Sequence, residues 1–319
     1  MAILKGTGLL IVALAAFSLF SFKAPKGQKA MAGLAGAAVA SFLVEAIYKY
    51  IFGSFLGISF LGEVGMTAGD LSGTAAAALV AIAMGVQPVY ALAAGLPLAG
   101  MGILPGFIIG YLVGLIAPKL DEKLPSGINL IATVLVLAPL GRFIAQLVTP
   151  GVDLALAQIG NVILAAADQS PLLMGFLLGG LIKIICSSPL SSMALTAMLG
   201  LTGLPMGIAA VACVGGSFTN GIVFYRLKLG HKGNIMGVMI EPLTQTEIIT
   251  TNPIPVYGSN FLGGGLAGMA AAALGIVNNA PGTAAPIPGL LAPFAFNDPW
   301  TVTQALVLAV LGGILGGVV

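Results

Sequence analysis

The residues equipped for chemistry are few, and they fall in three clusters. Between Gly237 and Asn260 lie two carboxylates, Glu241 and Glu247. The same stretch holds hydroxyls at Thr244, Thr246, Thr250 and Thr251, amides at Gln245, Asn252 and Asn260, and prolines at Pro242, Pro253 and Pro255. A second cluster, Ser187, Ser188, Ser191 and Ser192 around Pro189, follows an apolar run that contains Lys183. Asn278 and Asn279 open a third, Pro- and Gly-rich stretch ending at Gly289. Hydroxyls and amides around one carboxylate suit a small hydroxylated solute, because the carboxylate accepts strong charge-assisted hydrogen bonds from two solute hydroxyls. They do not suit metal or thiol chemistry. The single histidine, His231, sits in a basic loop, and Cys186 and Cys213 lie in apolar runs without metal-ligand spacing. No metal and no cofactor is expected. There is no GxxxxGK[ST] phosphate loop, and the glycines from Gly263 to Gly268 lack a βαβ setting, so they read as packing.

The elements that must position these residues are membrane helices. Of 319 residues, 58% are hydrophobic and only 7% charged, against about 25% charged in soluble domains. Mean hydropathy is +1.10. An all-α polytopic membrane protein follows. A net charge of +2 with no long basic run excludes a nucleic-acid partner and leaves lipid and a small solute. The 46 glycines allow helices to approach closely and to break.

In such a chain the three clusters cannot face lipid. A charge at the bilayer centre costs roughly 2.5–3.5 kcal/mol on insertion scales. Proline removes a backbone donor, and broken backbone survives at membrane depth only inside protein or beside a wet cavity. Residues 237–258 therefore read as a re-entrant hairpin lining a polar cavity, with an extramembrane loop or interfacial helix as the alternative. Residues 278–297 read as a second hairpin, or else as an external loop in which Asn278 and Asn279 merely make a turn. The serines mark a helix interruption and serve either the solute or helix–helix contact, the latter at about 0.6 kcal/mol per bond.

Apolar runs between these clusters give about nine or ten membrane elements, two of them hairpins. The first, 7–22, ends in Phe22-Lys23-Ala24-Pro25 rather than in small residues, so a retained helix is expected instead of a cleaved leader. Lys23, Lys26 and Lys29, and again Tyr225–Lys232, mark cytoplasmic loops. A single long span is expected over 89–116, with Gly106, Gly110 and Gly114 forming a smooth packing face, and a charged loop over 117–126. Arg142 is expected to snorkel or meet lipid head groups. Residues 149–169 read as a separate amphipathic helix. Lys183 is a candidate partner for Glu241 or Glu247, or a snorkelling cation. Asp298-Pro299 supplies N-cap and first-turn residues for a last span over 299–318.

From about residue 85 to 296 the order of features resembles the membrane subunit, enzyme IIC, of the sugar phosphotransferase system, closest to its fructose-type branch. Three stretches carry the likeness: 101–131, 170–197 and 241–270. By position, Glu247 after Thr246 corresponds to that family's sugar-binding glutamate, which would also be the catalytic base toward the phosphorylated hydroxyl. Pro189 corresponds to the proline of the family's Gly-Gly-Pro break, with Ser187 and Ser188 at the glycines and Ser191 and Ser192 at an Asn-Lys pair. Asn252-Pro253 sits near an Asp-Pro. Ile185 replaces an acidic residue, Ile248-Ile249-Thr250-Thr251 replaces Gly-Ala-Ile-Pro, and the 319 residues include no phosphocarrier domain. These departures also resemble a stand-alone IIC-like branch. The resemblance implies a homodimer in the bacterial cytoplasmic membrane, with a scaffold over 1–150, a linker over 151–169 and an elevator-type core over 170–319. The expected ligands of the solute are Glu247, Thr246, Thr250, Asn252, Ser187, Ser188, Ser191, Ser192, Asn278 and Asn279. The expected function is transport of a sugar or polyol, with a cytosolic IIB-like phosphocarrier as a possible partner. The alternatives are a carrier of a non-sugar solute and a IIC-like sensor that binds without transporting.

Overall fold

The computed structural model describes residues 19–125, 127–188 and 192–319, with Gly8, Val12, Ala15 and Ala16 before them. Most of the first apolar run, and Pro189, Leu190 and Ser191, therefore lie outside the described residues. So do the side chains at 55, 156, 159–160, 162–169, 194, 198, 246, 247 and 250. Helices build the described chain, and no strand occurs in it.

The N-terminal half begins with α1, Gly27–Ser54, which contains π-helical stretches at Val39–Leu43 and Ala46–Phe55. Next come α2 (Ser59–Asp70) and α3 (Ser72–Ala83), bent by 52° at Leu71. Then follow α4 (Pro88–Gly95), α5 (Ile103–Lys123) and α6, which starts at Ile128 and runs through a π stretch, Thr133–Leu137, into Ala138–Gln169. The C-terminal half comprises α7 (Pro171–Cys186), α8 (Ser192–Met198), α9 (Gly203–Arg226) and α10 (Lys232–Ile240). It continues with α11 (Thr246–Thr251), α12 (Pro253–Ala273), α13 (Pro286–Leu291) and α14 (Pro299–Val318). Asp298 caps α14 as expected, its Oδ2 accepting from the Thr301 N–H at 3.0 Å.

Among the described residues five helices are long and apolar enough to cross a membrane: α1, α5, the first part of α6, α9 and α14. The bent pair α2–α3 makes a sixth if it is one span, and 88–98, 171–186 and 286–295 are shorter apolar helices. The chain is thus an all-α multi-pass membrane protein.

Small residues hold both halves together, because lipid offers no hydrophobic drive for helices to associate and close van der Waals contact must supply it. In the N-terminal half α3 packs on α1, α4 and α5. Gly106, Gly110 and Gly114 form the expected face. A Cβ at Gly106 would overlap Gly73, one at Gly110 would lie 2.7 Å from the Ala77 carbonyl oxygen, and one at Gly114 would overlap the Met84 side chain. In the C-terminal half α7, α9, α12 and α14 form a four-helix bundle. One hydrophobic core joins the halves, with Met31, Leu34, Val80 and Phe107 on one side and Leu178, Ile182, Ile208 and Ala271 on the other. The stretches on either side of α13 reach α1: before it Gly282 abuts Phe42, and after it Phe296 packs on Tyr50 at 5.9 Å.

Four expectations need correction. The run 89–116 is not one span but α4 and α5, separated by a 3-10 turn at Leu96–Leu98 and a glycine at φ +75°, Gly100. The break is satisfied by its neighbours: the Gly100 N–H donates to the Asp70 carbonyl and the Gly73 N–H to the Met101 carbonyl, each at 3.1 Å. Arg142 does not snorkel. Its Nη1 donates to the Pro97 and Ala99 carbonyls at 2.8 and 3.0 Å, using its charge to hold acceptors that the broken helix cannot pair. The loop expected over 117–126 begins only at Leu124, since α5 continues through Pro118 to Lys123. Residues 149–169 are not a separate helix. They continue α6 through Pro150, whose interior position removes one backbone bond without ending the helix.

Candidate solute site

Three bundle helices place side chains at a spacing of four, so each presents one face. On α7 these are Gly175, Gly179, Lys183 and Ser187; on α12, running the opposite way, Gly268, Gly264 and Asn260; on α9, Gly216 and Asn220. The glycines let the backbones touch. A Cβ at Gly175 would lie 2.8 Å from the Gly268 carbonyl oxygen, and one at Gly179 would lie 2.6 Å from that of Gly264. One turn further along, the seam widens to admit a lysine stem. A Cβ at Gly216 would overlap Lys183 Cδ and Cε, and one at Gly264 would overlap Lys183 Cβ.

At the next layer the seam becomes polar. Asn260 Nδ2 donates to Asn220 Oδ1 at 2.8 Å and to Ser187 Oγ at 3.1 Å, and Asn220 Nδ2 reaches Ser187 Oγ at 3.4 Å. Lys183, Ser187, Asn220 and Asn260 are each 0% exposed. Asn260 Oδ1 is buried and, among the described residues, accepts no hydrogen bond. The Lys183 ammonium contacts the Cys186 sulfur at 4.0 Å. Glu241 lies within electrostatic range of Lys183 and Cys186 but does not pair with the ammonium. The one ion pair among the described residues is Lys49 with Glu45. Glu241 accepts instead from the Leu243 N–H at 3.3 Å.

The residues expected at the site fall into three sets. Ser187 joins the buried array. Ser188 and Ser192 sit beside the break: Ser188 Oγ donates to the Ile185 carbonyl at 2.9 Å, and Ser192 Oγ donates to the Ala284 carbonyl, tying the break to the third cluster. Asn252 heads α12, with Nδ2 donating to the Ile248 carbonyl at 3.0 Å. A second set is engaged elsewhere. Asn278 is buried, with Nδ2 donating to Thr283 Oγ1 and Oδ1 accepting from the Ala280 N–H, while Asn279 Oδ1 accepts from the Gly203 N–H at 3.1 Å. The Asn278 side chain closes the loop after α12 on itself, while its N–H, donating to the Gly203 carbonyl at 3.0 Å, and Asn279 fasten that loop to the start of α9. The third set, the side chains of Thr246, Glu247 and Thr250 and the whole of Ser191, lies outside the described residues. The backbone of 246–251 forms α11, whose Ile249 is buried against Val223, Phe224 and Val256.

Asn220 was not singled out, and Asn260 was noted only for its polarity. The signal was available: Gly216–Asn220 and Asn260–Gly264–Gly268 repeat the four-residue spacing that Gly175–Gly179–Lys183–Ser187 shows on α7. A polar residue in line with helix-contact glycines faces another helix, not lipid. An apolar groove of about 510 Å³ also lies between α9, α10, α13 and α14, lined by Val214, Phe218, Met236, Ile287, Leu306 and Leu311. It offers almost no polar surface, so it suits an acyl chain and not a hydroxylated solute.

Fold and buried array together define a multi-pass membrane protein with a polar centre enclosed in its C-terminal bundle. Residues 28–319 match the family described as phosphotransferase system, EIIC, and the chain belongs to that family. No curated protein and no solved structure matches it. Membership carries with it a sugar-transport permease, sugar as the class of substrate and cooperation with an enzyme IIB phosphocarrier.

Proposed function

We propose that the chain is the solute carrier of a phosphotransferase permease, of the fructose-type or stand-alone branch, in the bacterial cytoplasmic membrane. Its C-terminal half, 170–319, binds the solute and moves as an elevator against a scaffold formed by 1–150, through which two copies dimerise. Residues 237–258 and 278–297 form the re-entrant hairpins of the core. The observation that carries this reading is the wholly buried Ser187–Asn220–Asn260 array. Buried amides and hydroxyls are costly unless hydrogen-bonded, and three helices converge to hold these while Asn260 Oδ1 is left open among the described residues. Glu247, next to Thr246 on α11, serves as the acceptor of two solute hydroxyls and as the base for the hydroxyl that is phosphorylated. Thr250, Asn252 and the serines around Pro189 complete the surroundings.

A thermal-shift screen of detergent-purified protein against hexoses, hexitols, disaccharides, ascorbate and small carboxylates tests the reading. One solute should stabilise the wild type, and Glu247→Gln should abolish that response while leaving the oligomer intact. Wild-type affinity in the variant would remove Glu247 from the site. Uptake into vesicles that exceeds stoichiometric binding separates a carrier from a sensor.

A further inference from the structure

The buried array leaves two deficits. Asn260 Oδ1 lacks a donor among the described residues. The Lys183 ammonium has, among the described residues, no acceptor better than a thiol 4.0 Å away, and a thiol is a weak acceptor. A buried ammonium is stable only with an anion and further hydrogen bonds around it. Lys183 is nevertheless built in, since Gly216 and Gly264 leave the space its stem occupies. The two deficits lie about one helical turn apart. Lys183 and Ser187 are four apart on α7, a separation of ~6 Å, and Asn260 is bonded to Ser187.

We propose that the solute meets both deficits: a hydroxyl of the solute donates to Asn260 Oδ1, and an anionic group of the same solute pairs with Lys183. The substrate class is then a polyhydroxylated acid and not a neutral sugar. A carboxylate matches the single ammonium charge for charge, which favours it over a doubly charged phosphate in a site closed to water. This inference rests on the solute-carrier reading above and narrows its substrate. The plainer role for Lys183 is that of a cation in the last turn of α7, favourable toward the helix C-terminus. That role makes no distinction between solutes.

Equilibrium binding to the purified full chain decides between them, with gluconate, glucuronate, glucose 6-phosphate, glucose and sorbitol as probes, in the wild type, Lys183→Met and Lys183→Gln. The expected result is that gluconate or glucuronate binds the wild type at least tenfold more tightly than sorbitol or glucose, and that both variants lose this preference. If neither variant folds, the ratio in the wild type decides alone. A neutral sugar bound as tightly as its acid overturns the inference and leaves the carrier reading standing. A lower melting temperature with an unchanged ratio in the variants also overturns it, in favour of the helix-end role. Glucose 6-phosphate bound without either carboxylate overturns the assignment to a carboxylate. Silence from all five probes overturns both the inference and the sugar-type reading on which it rests.

Discussion

The chain contains two glycine seams made by the same device and filled differently. Between α3 and α5, Gly106, Gly110 and Gly114 meet Gly73, the Ala76–Ala77 backbone and the Met84 side chain. Between α7, α9 and α12, Gly175, Gly179, Gly216, Gly264 and Gly268 bring backbones equally close, but one turn of the seam encloses a lysine stem and the next encloses Ser187, Asn220 and Asn260. Glycine spacing alone therefore reports helix contact. What separates a structural seam from a candidate site is a polar residue in register with the glycines, enclosed where neither water nor lipid reaches it.

That contrast is open to attack by mutation. The largest effect is expected in the seam between α3 and α5. Gly110→Leu forces side-chain atoms against the Ala76 and Ala77 backbone, and overpacking without a flexible neighbour should cost about 3 kcal/mol or more. A melting curve and gel-filtration profile like those of the wild type would show that the seam does not hold the N-terminal half. In the polar seam, Asn220→Leu removes one of the two acceptors of Asn260 Nδ2 and leaves one buried N–H unpaired, and leaving a buried polar group unsatisfied costs about 1–3 kcal/mol. Denaturation midpoints should fall by that amount, whereas the same substitution would be neutral if the array were solvated. The smallest effect is expected for Gly216→Ala, about 1 kcal/mol, because the atoms it meets belong to the movable stem of Lys183. Combining it with Lys183→Ala should recover at least half of that loss in a double-mutant cycle. Strict additivity would mean that Gly216 does not house the lysine.

Much of the fold was legible because membrane helices announce themselves by length and apolarity: 299–318 was read to the residue, and α7 was bounded by Ser170-Pro171 and the serine break. Two misreadings share one cause. A loop was expected from residue 117 and a separate helix from 149, yet α5 and α6 run on through Pro118 and Pro150, because neighbouring helices and local adjustment absorb the bond each proline removes. Pro97, in an equally apolar run, does mark a break, because Gly100 beside it adopts a left-handed backbone and Arg142 arrives from α6 to meet the freed carbonyls. Which proline bends a helix depends on partners distant in sequence. The buried array was legible in Ser187 and Lys183. It was not legible in Asn220, which sits in an otherwise apolar run and gains meaning only when α7 and α12 are laid against it. For Asn278 and Asn279 the sequence leaves a loop turn and a solute contact open, because both uses need the same side chain. In this structure their side chains bond Thr283, Ala280 and Gly203.

The two interruptions in the N-terminal half, at Leu71 and at Leu96–Gly102, answer each other through a reciprocal pair of backbone bonds, Gly73 to Met101 and Gly100 to Asp70. Both donors are glycines for a reason: Gly100 holds a left-handed backbone at φ +75°, and a Cβ at Gly73 would overlap the Met101 carbonyl oxygen, so the joint fixes glycine at both positions as well as the lengths between them. An insertion or deletion between Asp70 and Gly73 would put both donors out of step with their acceptors, and only a matching change between Met101 and Leu98 would restore them. Relatives that share the joint are therefore expected to keep glycine at these two positions, while the lengths of the two short connections must change together or not at all.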